Sequence, residues 1–427
     1  ISLIMSLPKC SAMKLCSVRL GWHHRGRCLW HEQRFKLLCV PIFWGLIVTD
    51  LDEIEHWVCP DLLFNDGRLQ PDQALGLVGD MISTVVQITS LPEQARTHHL
   101  AGTISPGFVD LQVNGGGGVL LNSTPTREGM YAMADAHRKF GTTSIMPTVI
   151  TDAPHVIEHA VDAVIGAVDT DGICGLHIEG PHISVDRRGT HKAEYVRPMD
   201  RDTMDQVARL RAAGVPTMIT LAPELVPPDD IADLARMGAV VSIGHSKADS
   251  RTVETAIAAG AGCFTHLFNA MSHMTGREPG VVGAAINSSA YVGIICDGIH
   301  VSDDMVGLAL RARPDPDLSF LVSDAMPTVG GPLEFDLYGN TIRLHQNRLI
   351  NDEGSLAGAH VTMAESVARL VRSVGVTPEA ALRMAITVPS AVMGLNLGRI
   401  SGCQSSDLLC LGAGLMFEGY LSDALAA

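Results

Sequence analysis

From about Thr103 the chain alternates short apolar runs with longer stretches of helical period. The apolar runs predict strands at 103–113, 143–149, 172–179, 217–222, 239–245, 262–268, 291–297 and 318–324. Between them, apolar positions recur at helical spacing over 127–140, 153–166, 202–213, 228–237, 249–259 and 302–312. Strands that are apolar on both faces and separated by helices belong to a parallel sheet covered on each side. Eight such units predict an α/β chain built on a TIM-like (β/α)8 barrel.

Outside this region the pattern changes. Leu62–Arg68, Leu75–Gly79 and Met81–Ile88 read as short strands with tight turns. After Asp324 come strand-like pieces at Leu333–Leu337, Thr341–Leu344 and Arg348–Ile350, helical stretches at 360–374 and 378–393, and a last strand at Asp407–Leu411. The expected layout is a barrel over 103–328, barrel-associated helices over 359–394, and a small β-sandwich domain drawn from 59–102, 329–358 and 395–427. Residues 1–58 read as an atypical extension, expected to be poorly ordered. They hold all four tryptophans (Trp22, Trp30, Trp44 and Trp57), and Glu32 is the only acid before Lys36. A basic targeting peptide is the competing reading of this head. His23, His24, His31 and Cys28 have no spacing that suits a tetrahedral metal.

Charge and composition narrow the function. A formal net charge of −15 opposes nucleic-acid binding, which needs a basic face, but leaves room for a small anion held by local Arg and His. The longest apolar segment, Leu37–Val48, is too short to span a bilayer, so a soluble, cytoplasmic protein is expected. Cys174, Cys263 and Cys296 lie in apolar runs and none of the ten cysteines forms a C-x-x-C pair, which suits thiols of a reducing compartment.

The chemistry lies at the ends of the predicted strands. Glu179, His245, His266 and Asp324 each close an apolar run, and in a parallel barrel these ends meet on one face. Two imidazoles and a carboxylate suit a divalent cation such as Zn²⁺ with a position left for water, and a separate Asp can carry protons. Gln112 and Asn114 share one face of the first strand, either contacting the ion or its water, or hydrogen-bonding within the barrel. Gly115 to Gly118 let backbone approach a ligand closely. Asn269, Arg277, His300 and His191, beside Arg187 and Arg188, face the same mouth and favour a polar anionic substrate.

Ten blocks carry a resemblance: PGFVDLQVNGGGGV (106–119), GLHIEGPHIS (175–184), GTH (189–191), LAPE (221–224), SIGHS (242–246), THLFNAM (265–271), TGREPG (275–280), DGIH (297–300), VSDAM (322–326) and GSLAGAHVTM (354–363). In this order the sequence from about Pro60 onward resembles the N-acetylglucosamine-6-phosphate deacetylase family of the amidohydrolase superfamily. The resemblance implies one divalent metal ion per subunit, Zn²⁺ or Fe²⁺, on Glu179, His245 and His266. It implies Asp324 as general acid and base, with His191 polarising the acetamide carbonyl. Substrate contacts would come from Gln112, Asn114, Asn269, Ala270, Arg277, His300 and the segment Leu356, Ala357, Gly358. It also implies a homodimer or homotetramer, with phosphate contacts from a neighbouring subunit. N-acetylgalactosamine 6-phosphate, or another amide, is the alternative substrate. His182 departs from the bulkier aromatics of the family, and residues 1–58 match none of it.

Overall fold

A computed structural model describes residues 54–427, apart from 169, 171 and 352. Calls on the first 53 residues, including three of the tryptophans, lie outside the described residues. Trp57 and Val58, placed with the atypical head by sequence, instead lie in the strand His56–Asn65 at 1% and 0% exposure. The reason is packing: the indole fills the space over Gly76, where an added Cβ would sit 2.9 Å from the ring.

Eight parallel strands form the barrel: β1 (Phe108–Val113), β2 (Thr142–Ile150), β3 (Leu176–Glu179), β4 (Thr217–Leu221), β5 (Val240–Ile243), β6 (Cys263–Phe264), β7 (Tyr291–Ile294) and β8 (Ser319–Leu321). Each pairs with its sequence neighbour. Beyond β8 the Asp324 N–H donates to the Gln112 carbonyl at 3.0 Å and the Asn114 N–H to the Ala325 carbonyl at 2.9 Å, so the chain links back to β1. The expected first strand, 103–113, is divided. Thr97–Pro106 joins another sheet, and Gly107 separates it from β1. An added Cβ at Gly107 would meet Thr143 Oγ1 at 2.0 Å, so only glycine lets the two strands of the barrel approach here.

Six predicted helices form within a residue or two of expectation: Arg127–Arg138, Pro154–Ile165, Arg201–Ala212, Pro228–Arg236, Ser250–Ala259 and Asp303–Ala312. Thr126, Asp200 and Asp249 cap three of them, each side chain accepting an N–H three residues on. Ile157, Ala160, Val161 and Val164 show the spacing that buries one face against the sheet. The pattern did not predict Gly280–Asn287, whose residues are apolar nearly all round and mostly buried.

The flanking strands separate into two sheets. A seven-stranded sheet draws on 56–106 and 408–420, and its central pair, His56–Asn65 with Thr97–Pro106, is parallel. Glu334–Leu337, Asn340–His345 and Arg348–Ile350 form an antiparallel sheet of their own, where the sequence reading had joined them to the small β domain. Their buried side chains Phe335, Leu337, Ile342 and Leu349 pack with Leu120, Ile150 and Met326 from the end of the barrel that carries the site. No helix among the described residues is long and apolar enough to cross a membrane.

Candidate active site

Glu179 closes β3, His245 and His266 each come two residues after β5 and β6, and Asp324 comes three after β8. His245, His266 and Asp324 take positive φ values of 48°, 32° and 52°, as do Phe268 (78°) and Ala270 (52°) in the same loop. Left-handed backbone costs a non-glycine residue on the order of 1 kcal/mol or more, so surrounding structure must hold it. Here it turns the chain out of each strand at the mouth, which shortens β6 to Cys263–Phe264 against the expected 262–268.

Three donor atoms converge. His266 Nε2 lies 3.0 Å from Glu179 Oε1 and 3.0 Å from His245 Nε2, and His245 Nε2 lies 3.3 Å from Glu179 Oε1. Ligands about 2.0–2.2 Å from one tetrahedral ion stand roughly 3.3–3.5 Å apart, so this near-equilateral set fits a single cation. His245 Nδ1 donates to the Arg187 carbonyl at 2.9 Å, which leaves Nε2 as the nitrogen facing the other two donor atoms. Glu179, His191 and His245 form an overlapping set whose ligand atoms lie within 4.8 Å, a looser fit to one ion than the first. His191 Nδ1 is tied to Thr151 Oγ1 at 2.8 Å, and its ring centroid is 4.4 Å from that of His245.

The amide of Gln112 bridges two carboxylates. Its Nε2 donates to Glu179 Oε1 at 2.9 Å and to Asp324 Oδ1 at 3.0 Å, while Asn114 Nδ2 donates to the same Asp324 oxygen at 2.7 Å. Burial, and then the charge of Glu179, push Asp324 up to about 6. Burial alone would raise Glu179 too, but hydrogen bonds from His245 and His266 hold it well below the carboxylate range. Burial would lower His266, yet its bond to Glu179 wins and raises it. Burial and the neighbouring His245 push His191 down to about 3, so its ring is neutral at physiological pH.

These groups open into a cavity of about 600 Å³, in the range of small-molecule sites. Asn114, Asn269, Ala270 and His300 line it with the ionisable cluster, and Leu356 and Gly358 form part of another wall. Ala357 faces away, fully buried against Leu120, Ile150 and Met326. The Ala357 N–H is bonded to the Leu349 carbonyl, which ties this residue to the three-stranded sheet. Gln112 sits beneath the cavity rather than on its wall. Arg277 lies in an exposed loop and does not line the cavity of its own chain. His182 is fully buried and off the cavity, its two nitrogens engaged by the Arg197 carbonyl (3.1 Å) and Thr203 Oγ1 (3.0 Å).

Some contributors were not singled out by sequence. Tyr338, from the three-stranded sheet, donates its hydroxyl to the Thr151 carbonyl and so braces the residue that holds His191. Glu353 pairs at 3.0 Å with Arg188, from the basic stretch noted in the sequence, on the cavity rim. Beneath the cluster, His177 Nε2 meets Thr220 Oγ1 at 2.7 Å, which continues to Thr265 and Ser242. The available signal was position: His177 lies two residues before Glu179 on one strand, hence on one face.

The amidohydrolase family model matches residues 103–411. An N-acetylgalactosamine-6-phosphate deacetylase of Shewanella sp. is 42% identical over 316 residues, covering 73% of this chain and 79% of that protein. An N-acetylglucosamine-6-phosphate deacetylase of Haemophilus influenzae is 34% identical over 332 residues, covering 76% and 86%. The solved N-acetylglucosamine-6-phosphate deacetylase of Pasteurella multocida superposes with a TM-score of 0.79 at 32% identity, over 86% of this chain and 97% of that one.

Proposed function

The chain belongs to the amidohydrolase family, and from that premise we propose that it removes the acetyl group of N-acetylglucosamine 6-phosphate, giving glucosamine 6-phosphate and acetate in amino-sugar catabolism. The observation that carries this reading is the set of three donor atoms within 3.3 Å of one another, with Asp324 tied through Gln112 to the same Glu179. Glu179, His245 and His266 would hold one divalent cation per subunit, Zn²⁺ in our reading and Fe²⁺ as the second candidate. A cation there supplies Lewis acidity to the water and the amide carbonyl.

The remaining steps use the chain's own groups. Asp324, held by two amide donors, takes the proton of the attacking water and returns it to the departing nitrogen. Neutral His191, its Nδ1 accepting from the Thr151 hydroxyl, turns its Nε2–H toward the carbonyl and stabilises the oxygen that gains charge. Asn269, Ala270, His300, Leu356 and Gly358 surround the sugar phosphate, and Asn114 restrains Asp324. Arg277, exposed beside Met274, is assigned to the phosphate of a neighbouring subunit in a homodimer or homotetramer. Thiols such as Cys263 and Cys296, buried without a disulfide, support a cytoplasmic setting.

Acetate release from N-acetylglucosamine 6-phosphate, with and without chelator, tests the reading; a chelator-insensitive or inert protein defeats it. A second substrate, N-acetylgalactosamine 6-phosphate, is favoured by the 42% identity to the Shewanella enzyme. The two sugars differ only at the C4 hydroxyl, so turnover of both side by side separates the readings.

A further inference from the structure

The turn Asp297-Gly-Ile-His300 follows β7, and its two ionisable side chains are only 6% and 7% exposed. Asp297 Oδ2 lies 2.6 Å from His300 Nδ1, while Oδ1 accepts the N–H groups of Ile299 and His300, each at 2.8 Å. Three hydrogen bonds fix the carboxylate, so it cannot rotate away from the ring. Arg369 locks the turn from outside. An added Cβ at Gly298, whose φ is +72°, would meet its guanidinium at 1.9 Å. Arg369 is itself held by a two-pronged pair with Asp303, at 2.7 and 2.8 Å. His300 lines the substrate cavity, whereas Asp297 does not.

With Nδ1 committed to Asp297, Nε2 is the nitrogen left for the cavity. A neutral ring would present a lone pair there and repel a phosphate oxygen; an imidazolium would donate to it. With the carboxylate at Nδ1 and a phosphate at Nε2, the ring stands between two anionic acceptors and donates to both only with an N–H on each nitrogen. Asp324, on the same cavity wall, adds a further negative charge, and the guanidiniums of Arg187 and Arg188 oppose it from the rim.

We propose that Asp297 is a positioning residue that holds the His300 ring between its own carboxylate and the phosphate of the substrate, Nδ1–H donating to the first and Nε2–H to the second, and so sets the preference for phosphorylated over free sugars. This rests on the sugar-phosphate reading above. Asp297 touches neither substrate nor the reacting atoms, so its removal acts on binding of the charged end and not on amide cleavage.

The test is Asp297→Asn in the metal-loaded enzyme. Asparagine keeps the Oδ1 acceptor for the two backbone N–H groups and removes the charge. KM for N-acetylglucosamine 6-phosphate is expected to rise roughly tenfold or more, the usual worth of a charge-assisted hydrogen bond, with kcat nearly unchanged. kcat/KM for unphosphorylated N-acetylglucosamine is expected to stay at the wild-type value. Equal losses on both substrates, or a loss confined to kcat, overturn the proposal.

A second measurement needs neither the variant nor turnover. In ¹⁵N-histidine spectra of the wild type, with His300 assigned by its absence from His300→Gln, inorganic phosphate is expected to shift a ring protonated on both nitrogens. A neutral ring, or one indifferent to phosphate, overturns the proposal whatever the variant does. If the wild type releases no acetate from the sugar phosphate but phosphate still shifts a charged His300, the deacetylase reading falls and the assignment of Asp297 stands.

Discussion

Asp324 and Asp110 are both buried carboxyls, yet their surroundings give them different work. Asp324 shares its oxygen with two amide donors beside the Glu179, His245 and His266 cluster. Asp324→Asn keeps shape and removes the proton carrier, so turnover should fall by about 10² to 10⁴ while metal content stays at one equivalent per chain. Activity assays paired with elemental analysis check both halves, and an active variant removes Asp324 from the mechanism. The working form is the carboxylate, raised by burial and Glu179 to about 6, so kcat/KM should decline as pH falls below that value. A cation beside Glu179 moves this limb lower still, which makes 6 its upper bound. Asp110 has one oxygen bonded to the N–H groups of Gln112 and Ser323 and the other buried without a partner. Burial pushes it up to about 7. Its folded value exceeds its unfolded one, so the folded state binds more protons between them, and stability is lost as pH rises from about 4 to 7. Asp110→Asn lacks this penalty and should gain on the wild type across that window, by at most about 4 kcal/mol. Urea unfolding of both proteins at pH 5 and pH 8 measures it; parallel pH dependence would contradict the assignment.

Elements built from period alone were legible: six helices and eight strands fall close to where apolar spacing puts them. Less legible were places where the site bends the backbone. Thr265 and His266 continue an apolar run in sequence, but the positive φ at His266 ends the strand earlier. Glu179, His245, His266 and Asp324 could be picked out because strand ends need no long-range information. Thr151 and Tyr338 could not, since their pairing joins the end of β2 to a sheet nearly two hundred residues later. Arg277 had the right chemistry and motif, but the exposed loop that carries it leads away from the cavity. The three-stranded sheet offers a test at this scale. Leu337 is buried among Leu120, Ile150, Met326 and Phe335. Leu337→Ala should cost about 2–5 kcal/mol, borne first by a sheet with few other anchors. Amide exchange across 334–350 should accelerate and KM should rise, because the nearby Ser355, Leu356 and Gly358 line the cavity. Unchanged exchange there would mean that the sheet is held by something other than this cluster.

For the whole molecule, the buried Glu179, His245 and His266 couple folding to metal and to protons together. Without an ion, three polar groups crowd within 3.3 Å, and the bond to the Glu179 carboxylate raises His266, which favours its protonated form. A proton then stands where a cation would. Binding a divalent ion needs the neutral imidazole, so metal uptake should release a proton and weaken in acid. Calorimetric titration of metal-free protein in buffers of different ionisation enthalpy reads that proton directly. The same linkage fixes the sign of the stability effect. An ion that binds only the folded chain stabilises it by about 2.7 kcal/mol at a hundred times its dissociation constant. Unfolding should therefore shift to higher temperature with added metal and back with chelator. Glu179→Gln should lose most of both responses, since the amide is a poor ligand and no longer draws a proton onto His266. If that variant still released a proton on metal addition and melted with the wild type's metal dependence, the ion would have to sit elsewhere in the chain.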